Sequence, residues 1–461
     1  MTLASKHEKF VIYNEHNVTR DIRNVTKTVY IEKTVNLTNQ IQDINDFVLS
    51  TTKEIYPSDN YGIDFRKPSC AKRPESKIKQ GKYSSVLFHP NQLGIILLEF
   101  YNICFDFKSR TITYFIENDS EQKLFERNRQ KYLTFMTGVS IQTEKQFHNQ
   151  TVFLEHSNAL YLISIAINQI AHFTETANIL LSINMRFRKF PFTDTVIYEI
   201  ADHPNDWIFS YYNLIKSLYP SNITFSNLRE ATERYGKNKC FKHFYVSNRV
   251  VYSSYGGIFS SIRDSDTIRI LAYKHIDIDP YTMKRHSKPF ITLLNRNIHK
   301  RASNNRLIIN INELEQYFKS NFNNKLRFDY SIVDTEKFTF KEQLQFMVKT
   351  DILIGTVGTG FLNSMFMLPY SSIIAVYPPY SDNIFFTASS RTSRIYFIPY
   401  YNNTVHYRNN TPEYACVQNI LSKFPNTYDC RRLLYYSDVY VDPFSLFLIL
   451  QTTFYYFLYN N

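Results

Sequence analysis

Residues 349–369 read KTDILIGTVGTGFLNSMFMLP and form the most informative stretch of the chain. An apolar run predicts a buried strand over residues 351–355, and the pattern after it predicts a helix over residues 359–367. Three of the ten glycines of the chain lie at this junction: Gly355, Gly358 and Gly360. Glycine permits positive φ and a close approach to a ligand, and the first N–H groups of a helix favour a phosphate. A tight turn that needs small residues for packing is the alternative.

The alternation of strand and helix extends to both sides of these glycines. Apolar runs and helical periodicity predict, in chain order, strand 290–294, helix 312–321, strand 326–333, helix 339–349, strand 371–377 and strand 394–400. Strands joined through helices build parallel units with right-handed crossovers. The sequence therefore predicts an α/β fold with a doubly wound sheet, whose ligand crevice lies beyond the carboxyl ends of its strands.

The length of 461 residues exceeds what a single hydrophobic core usually supports, so more than one domain is expected. Residues 1–80 lack a steady period and predict a peripheral N-terminal segment. Residues 81–285 alternate apolar runs with helical patterns and predict a first α/β domain, and residues 286–435 form the second. Residues 436–461 predict a buried terminal helix that Asp442 caps, with a membrane anchor as the alternative.

The chain is basic, with 53 Lys and Arg against 41 Asp and Glu and a net charge of +12. A positive chain attracts anions such as phosphates, nucleotide diphosphates or nucleic acid. The basic residues form only short runs and no nucleic-acid recognition module is present, so nucleic-acid binding is the weakest hypothesis. Since 44% of the residues are apolar, a disordered or fibrous chain is excluded.

The compartment stays open between the cytoplasm and the secretory pathway. The five cysteines form no CxxC pair, which argues against structural zinc, and Cys416 and Cys430 could close a short loop by a disulfide. Glycosylation sequons occur at Asn17, Asn24, Asn36, Asn118, Asn149, Asn222, Asn402 and Asn409. A lumenal glycoprotein would carry them, although a composition rich in Asn, Ser and Thr also produces them by chance. No secretory leader and no membrane span is apparent, so either the chain is cytosolic or its leader is missing.

Several segments resemble glycosyltransferase family 61. Residues 349–369 are similar to the family signature DxxxGxHGAGLTNxxFLPP. Five further similarities follow the order of the family: Asn168 with His172-Phe173 to its NxxHF segment, Cys240-Phe241-Lys242 to its CF(R/K) strand, residues 292–296 to (T/L)xxSR, residues 306–314 to RxxxNxxEL, and residues 340–344 to SFxEQ. The resemblance covers roughly residues 150–400.

The resemblance implies a GT-B-like architecture, in which two Rossmann-like domains have a cleft between them and the C-terminal domain binds the nucleotide sugar. It implies inverting transfer of a sugar, GlcNAc or a pentose, from a UDP-sugar to a hydroxyl of a glycoprotein or glycan. A site in the endoplasmic reticulum or Golgi lumen would fit. The candidate donor-binding residues are Arg296, Arg301, Gly355, Gly358, Thr359, Gly360 and Asn363, with Arg306 as a further candidate.

An inverting transfer needs a base for the proton of the acceptor hydroxyl. His172 and Glu175 lie one helical turn apart in the first domain and are the candidates, against a structural role for the histidine. No Asp-x-Asp metal motif is recognised, since residues 277–279 precede a proline in a predicted linker, and no metal is expected.

Two positions depart from the family pattern. Val357 stands where the family has a histidine, and Ala375 where it has a glutamate. Valine can neither donate a hydrogen bond nor carry a proton. A catalytically degenerate member that binds nucleotide or glycan without turnover is therefore the alternative function.

Overall fold

The computed structural model of the chain describes residues 83–459 with internal gaps. The gaps are residues 90–96, 135, 137, 146–152, 164–168, 187–194, 201–203, 220–222, 236–237, 248–257, 260–261, 280–284, 296–305, 323–328, 379–388, 391, 402 and 405–436. The predictions for residues 1–80, for Arg296 and Arg301, and for Cys416 and Cys430 lie outside the described residues.

The first unit is a mixed sheet with helices on both faces. Its elements are β1 Ser85–His89, β2 Leu97–Asp106, β3 Thr111–Phe115, α1 Asp119–Thr134, β4 Ser140–Glu144, β5 Phe153–Leu162, α2 Ile170–Arg186, β6 Thr195–Tyr198, α3 Asp206–Lys216, β7 Thr224–Asn227, α4 Leu228–Tyr235, β8 Asn238–Ser247 and α5 Ile262–His275. The strand order is β4-β3-β2-β8-β5-β6-β7, and β1 pairs with β2. Strands β8, β5, β6 and β7 run parallel, whereas β2 pairs antiparallel with β3 and β8.

Alternate residues of β5 point to opposite faces of this sheet. Leu160 and Leu162 point to the inner face, where α2, α3 and α5 pack. Tyr161 points to the outer face, where Phe125 of α1 and Ala231 of α4 pack. The sheet is therefore covered on both sides, and its two faces contact different parts of the protein.

The second unit is a parallel sheet with its own helices. Its elements are β9 Ile291–Asn295, α6 Ile311–Phe322, β10 Tyr330–Asp334, a 3-10 turn Thr335–Lys337, α7 Phe340–Lys349, β11 Ile352–Thr356, a 3-10 helix Thr359–Phe366, β12 Ser372–Val376, β13 Tyr396–Tyr400, β14 Asn403–Thr404, β15 Tyr440–Val441 and α8 Pro443–Tyr459. The strand order is β10-β9-β11-β12-β13, and all four pairings are parallel. Strands β11 and β12 are buried along their whole length, as expected for apolar strands covered on both faces.

The predicted order of strands and helices in this unit is confirmed, with one difference. The segment after the glycines is a 3-10 helix, Thr359–Phe366, called the loop helix below. Its first hydrogen bond runs from the Phe361 N–H to the Gly358 oxygen at 3.0 Å. A glycine in the first turn disfavours an α-helix, and the tighter 3-10 geometry is common in short connecting segments.

The predicted terminal helix is confirmed as α8. Asp442 caps it, since the Ser445 N–H donates to Asp442 Oδ2 at 2.7 Å. Leu446 and Leu450 pack with Phe322 of α6 in the core of the second unit. Within the described ranges, no helix combines the length and the apolar character that a membrane crossing requires.

The two units share one apolar core. Helices α2, α3 and α5 of the first unit pack against α7 and the loop helix of the second. Trp207, the single tryptophan of the chain, lies in this core against Phe340 and Phe366. The fold is thus α/β and GT-B-like, with two Rossmann-like units, as predicted.

A disulfide joins Cys104 in β2 to Cys240 in β8. The two residues are direct partners in the antiparallel register of these strands. The sequence did not predict this pair, because the cysteines are 136 residues apart and only the sheet brings them together.

Candidate functional site

The glycine stretch lies at the carboxyl end of β11, the middle strand of the second sheet. Thr356 ends the strand, Val357 and Gly358 form the turn, and the loop helix follows. Ligands of open parallel sheets bind beyond the carboxyl ends of the strands. The structure therefore brings the predicted donor residues Gly355, Gly358 and Gly360 to the edge of the sheet that suits a ligand.

Backbone N–H groups open the loop helix. The first N–H groups of a helix have no acceptor within it, and here these belong to Gly358, Thr359 and Gly360. The first turn contains no acidic residue, and no side chain caps it. The helix dipole adds partial positive charge at this end. The turn therefore offers donors to an oxygen anion such as a phosphate.

Close packing, not backbone conformation, explains two of the glycines. A Cβ on Gly355 would lie 2.9 Å from both the Cβ and the carbonyl oxygen of Leu294 in β9. A Cβ on Gly360 would lie 2.9 Å from Leu294 Cδ2. Gly358 has φ 164°, which is extended backbone. The expectation of positive φ is therefore wrong for these glycines, and the packing alternative is correct for Gly355 and Gly360.

This packing predicts different costs for two alanine substitutions. Gly355→Ala is expected to lower the free energy of unfolding by about 1–3 kcal/mol, because the new methyl group meets the main chain of β9. Gly360→Ala is expected to cost less, since the end of the Leu294 side chain can move. In a double-mutant cycle by urea unfolding, Leu294→Ala should cancel the cost of Gly360→Ala and leave most of the cost of Gly355→Ala. Equal cancellation of both costs would contradict this account.

A buried arginine holds the turn. Arg306 is 8% exposed, and its Nη1 donates to the Val357 oxygen at 2.9 Å. The carbonyl oxygen of Arg306 accepts a hydrogen bond from Thr356 Oγ1 at 2.6 Å. These reciprocal bonds bring a permanent positive charge to the carboxyl end of β11. Arg306 was only a further candidate for donor binding in the sequence analysis. Its match to the arginine of the RxxxNxxEL segment was the sequence feature that indicated it.

The two departures from the family pattern are both buried. Val357 and Ala375 are 0% exposed and lie in the apolar core that the two units share. The main chain of the turn keeps its bonds, since the Val357 N–H donates to the Val376 oxygen at 3.1 Å. A histidine at position 357 would need a polar partner in this core, because burying an unpaired polar group is costly.

Asn363 links the loop helix to both units. Its Oδ1 accepts a hydrogen bond from Trp207 Nε1 of α3 at 2.7 Å. Its Nδ2 donates to Gln343 Oε1 of α7 at 2.8 Å. The predicted role of Asn363 in donor binding stays a prediction, and its observed partners are protein side chains that fix the loop helix in place.

Helix α5 holds the other end of the loop helix. Arg269 Nε donates to the Met365 oxygen at 3.2 Å, and the Tyr273 hydroxyl donates to the Phe366 oxygen at 2.8 Å. Burial lowers the pKa of the Arg269 guanidinium, which also pairs with Asp266 at 2.7 Å. The sequence did not indicate these two positioning residues, because their hydrogen-bond partners lie 96 and 93 residues further along the chain.

The predicted base lies near the start of α2. His172 Nδ1 and Glu175 Oε2 are 3.2 Å apart. The Glu175 side chain is 4% exposed and that of His172 is 40% exposed, so a buried carboxylate orients a partly exposed imidazole. When Nδ1 carries the proton it donates to Glu175, and Nε2 is then the basic nitrogen. Helix α2 also contacts the loop helix, so the structure brings together the elements that carry the two halves of the predicted site.

Asp351, which directly precedes β11, has a structural role. It is buried, and its Oδ2 accepts a hydrogen bond from the Phe290 N–H at 2.9 Å, next to β9. Burial raises the pKa of this carboxyl group. In the part of the chain that the structure describes, no group of three or more His, Cys, Asp or Glu side chains could hold a metal ion.

Comparison with known protein families gives the class of the chain: a glycosyltransferase. The similarity is to the family glycosyltransferase 61, whose family model matches residues 217–374, from the end of α3 into β12. The match includes the whole glycine stretch and confirms the resemblance to family 61.

One solved structure and the curated protein sequences complete the comparison. The chain is similar to the crystal structure of the glycosyl transferase family 9 from Veillonella parvula DSM 2008, at 8% identity and a TM-score of 0.30, over 66% of this chain and 99% of that chain. No curated protein sequence matches the chain.

Proposed function

We propose that the chain is an inverting glycosyltransferase that transfers a sugar, GlcNAc or a pentose, from a UDP-sugar to a hydroxyl of a glycoprotein or glycan. The turn at the carboxyl end of β11 carries this proposal. There the buried Arg306 guanidinium donates to the carbonyl group of Val357, and the N–H groups at the start of the loop helix follow directly in the chain. This combination suits a diphosphate, because both kinds of donor stabilise negative charge.

Departure of UDP is the step at which these groups act. When the bond between the anomeric carbon and the UDP oxygen breaks, negative charge develops on the diphosphate. Donors that are fixed in advance stabilise this charge without reorganising during the reaction. We assign this role to the N–H groups of Gly358, Thr359 and Gly360, with Arg296 and Arg301 as additional cations after β9.

The acceptor supplies the second half of the reaction. Its hydroxyl oxygen attacks the anomeric carbon from the face opposite UDP, and the new glycosidic bond forms as the bond to UDP breaks. The hydroxyl proton must move to a base. We assign this proton to Nε2 of His172, which Glu175 orients from 3.2 Å.

The proposed compartment is the lumen of the endoplasmic reticulum or Golgi. The disulfide between Cys104 and Cys240 supports it, because disulfides form and persist in oxidising compartments. The sequons are compatible with the same compartment. The cytoplasm is the alternative, and it predicts that both thiols are reduced in the cell.

Titration of the purified chain with UDP, UDP-GlcNAc and UDP-xylose tests the donor site. Trp207 supplies a fluorescence signal, since its Nε1 donates to Asn363 of the loop helix. Arg306→Lys keeps the charge but loses the planar guanidinium, so UDP affinity is expected to fall about 10- to 100-fold. The nucleotide sugar that binds more tightly identifies the donor.

Arg285→Lys is the matched control. Arg285 is also partly buried and donates to a carbonyl group, that of Pro369, but at the amino end of the same sheet. Its replacement is expected to leave UDP affinity within about twofold, since ligands bind at the carboxyl end. Equal losses in the two variants would indicate general destabilisation. A folded chain that binds no uridine nucleotide would overturn the proposal.

A second candidate function is binding of nucleotide or glycan without transfer. The burial of Val357 and Ala375 in the shared apolar core favours it, because apolar side chains there replace the polar residues of the family. This candidate predicts that UDP binds while no UDP is released from UDP-GlcNAc or UDP-xylose in the presence of acceptor glycans. Measured UDP release distinguishes the two candidates.

A further inference from the structure

A cavity of about 340 Å³ lies on the outer face of the first sheet. Glu199 lines it and contacts Tyr161, whose side chain points to the outer face. The loop helix belongs to the apolar core on the inner face, where it contacts α2 and α5. None of the residues that line the cavity is among those assigned to sugar transfer.

An ion pair between a buried carboxylate and a partly exposed arginine forms one wall of this cavity. The Glu199 side chain is 4% exposed and lies 3.3 Å from Nη1 of Arg110, which is 40% exposed. The Tyr161 hydroxyl donates to the same carboxylate. Burial and the neighbouring Glu199 raise the pKa of Tyr161, so this hydroxyl stays protonated. The wall thus holds a fixed acceptor and a fixed donor side by side.

The rest of the lining is basic and apolar. Lys108 and Arg229 add two cations to the pair of Arg110 and Glu199, which gives three positive groups against one negative group. Arg229 also lies 3.8 Å from Glu233 on the exposed side of α4. Phe107 contributes an aromatic surface. The cavity therefore favours a ligand that combines an anionic group, hydroxyl groups and an apolar face.

We infer that this cavity binds a small anionic saccharide, a hydroxylated ring that carries a carboxylate or a phosphate. Lys108 and Arg229 would bind the anionic group, because arginine and lysine are the usual partners of both anions. Glu199 accepts and Arg110 donates hydrogen bonds to ring hydroxyls. A neutral sugar would not match the positive charge of the lining, and a bare phosphate would place a second anion beside Glu199. The volume lies in the range of small-molecule sites.

Calorimetry with four probes tests this inference. Glucuronic acid carries a carboxylate on a sugar ring, and glucose 6-phosphate carries a phosphate. The two controls are glucose, which has no anionic group, and inorganic phosphate, which has no sugar ring. The two anionic sugars are expected to bind at least about tenfold more tightly than glucose or phosphate, since a charge-assisted hydrogen bond contributes roughly 1.4 kcal/mol or more. The tighter of the two identifies the anionic group.

Two exposed arginines of α4 provide a matched pair of variants. Arg229→Ala is expected to weaken binding of the anionic sugar about tenfold. Arg234, in the last turn of the same helix, does not line the cavity, and Arg234→Ala is expected to leave binding unchanged. Both variants should keep the UDP affinity of the wild type, which separates this inference from the donor site. Equal binding of glucose, equal effects of the two variants, or no binding of either anionic sugar would overturn it.

Discussion

Replacing His172 by alanine is expected to slow sugar transfer by about 100- to 10,000-fold, the range over which a positioned general base acts. The UDP affinity is expected to stay within about twofold, since His172 lies in the first unit and the proposed donor site in the second. Turnover with saturating UDP-sugar and UDP titration of the same variant measure the two effects separately.

Free imidazole distinguishes a base from a structural histidine. The His172 side chain is 40% exposed, so imidazole can enter the space that alanine leaves. Partial recovery of turnover with added imidazole is expected for His172→Ala. A histidine that only packs would show lower thermal stability and no such recovery.

Removing the charge of Glu175, the partner of His172, is expected to lower turnover less than removing His172 itself. Glu175→Gln keeps the shape of the side chain and removes the charge that orients the imidazole at 3.2 Å. A loss of about 10- to 100-fold in turnover is expected, as for other groups that orient a reacting side chain. His286, exposed before β9, is the control, and His286→Ala should not change turnover. Wild-type turnover in His172→Ala would refute the assignment of the base.

The second sheet could be predicted from the sequence because its information is local. Strands such as Ile352–Thr356 are continuous apolar runs, and α7 begins at a capping box in which Thr339 and Glu342 exchange hydrogen bonds. Parallel strands need crossover connections, so the alternating pattern also fixes the direction of the strands. The antiparallel pairing of β2 with β8 has no such local signal, because it joins segments far apart in the chain.

The sequence indicated where the candidate site lies in the fold, but not which residues hold it in place. The clustered glycines marked the carboxyl end of β11, yet the reason for Gly355 and Gly360 is Leu294 of the neighbouring strand. Asn363 was selected as a polar residue near the turn, whereas its partner Trp207 is 156 residues away. Packing partners of this kind are set by the tertiary fold, so a periodic pattern reveals that a residue is buried without revealing what it contacts.

Removing the disulfide between Cys104 and Cys240 is expected to lower the free energy of unfolding by about 2–5 kcal/mol. The bond spans 136 residues, and closing so long a loop restricts the unfolded chain strongly. It also joins β2 to β8 directly, and these strands connect the antiparallel part of the first sheet to its parallel part. Urea unfolding of the Cys104→Ser, Cys240→Ser double variant measures the loss.

Reduction provides the matched comparison. A reducing agent should destabilise the wild type by nearly as much as the double substitution does, and should change the double variant little. Peptide mapping without reduction should recover one cross-linked pair that contains Cys104 and Cys240. If the wild type is as stable reduced as oxidised, the bond does not stabilise the sheet, and its support for an oxidising compartment is lost. If the bond does stabilise the sheet, the stability of the first unit depends on the redox state of its compartment. The glutathione pool of the cytoplasm keeps thiols reduced, so the first unit would be less stable there.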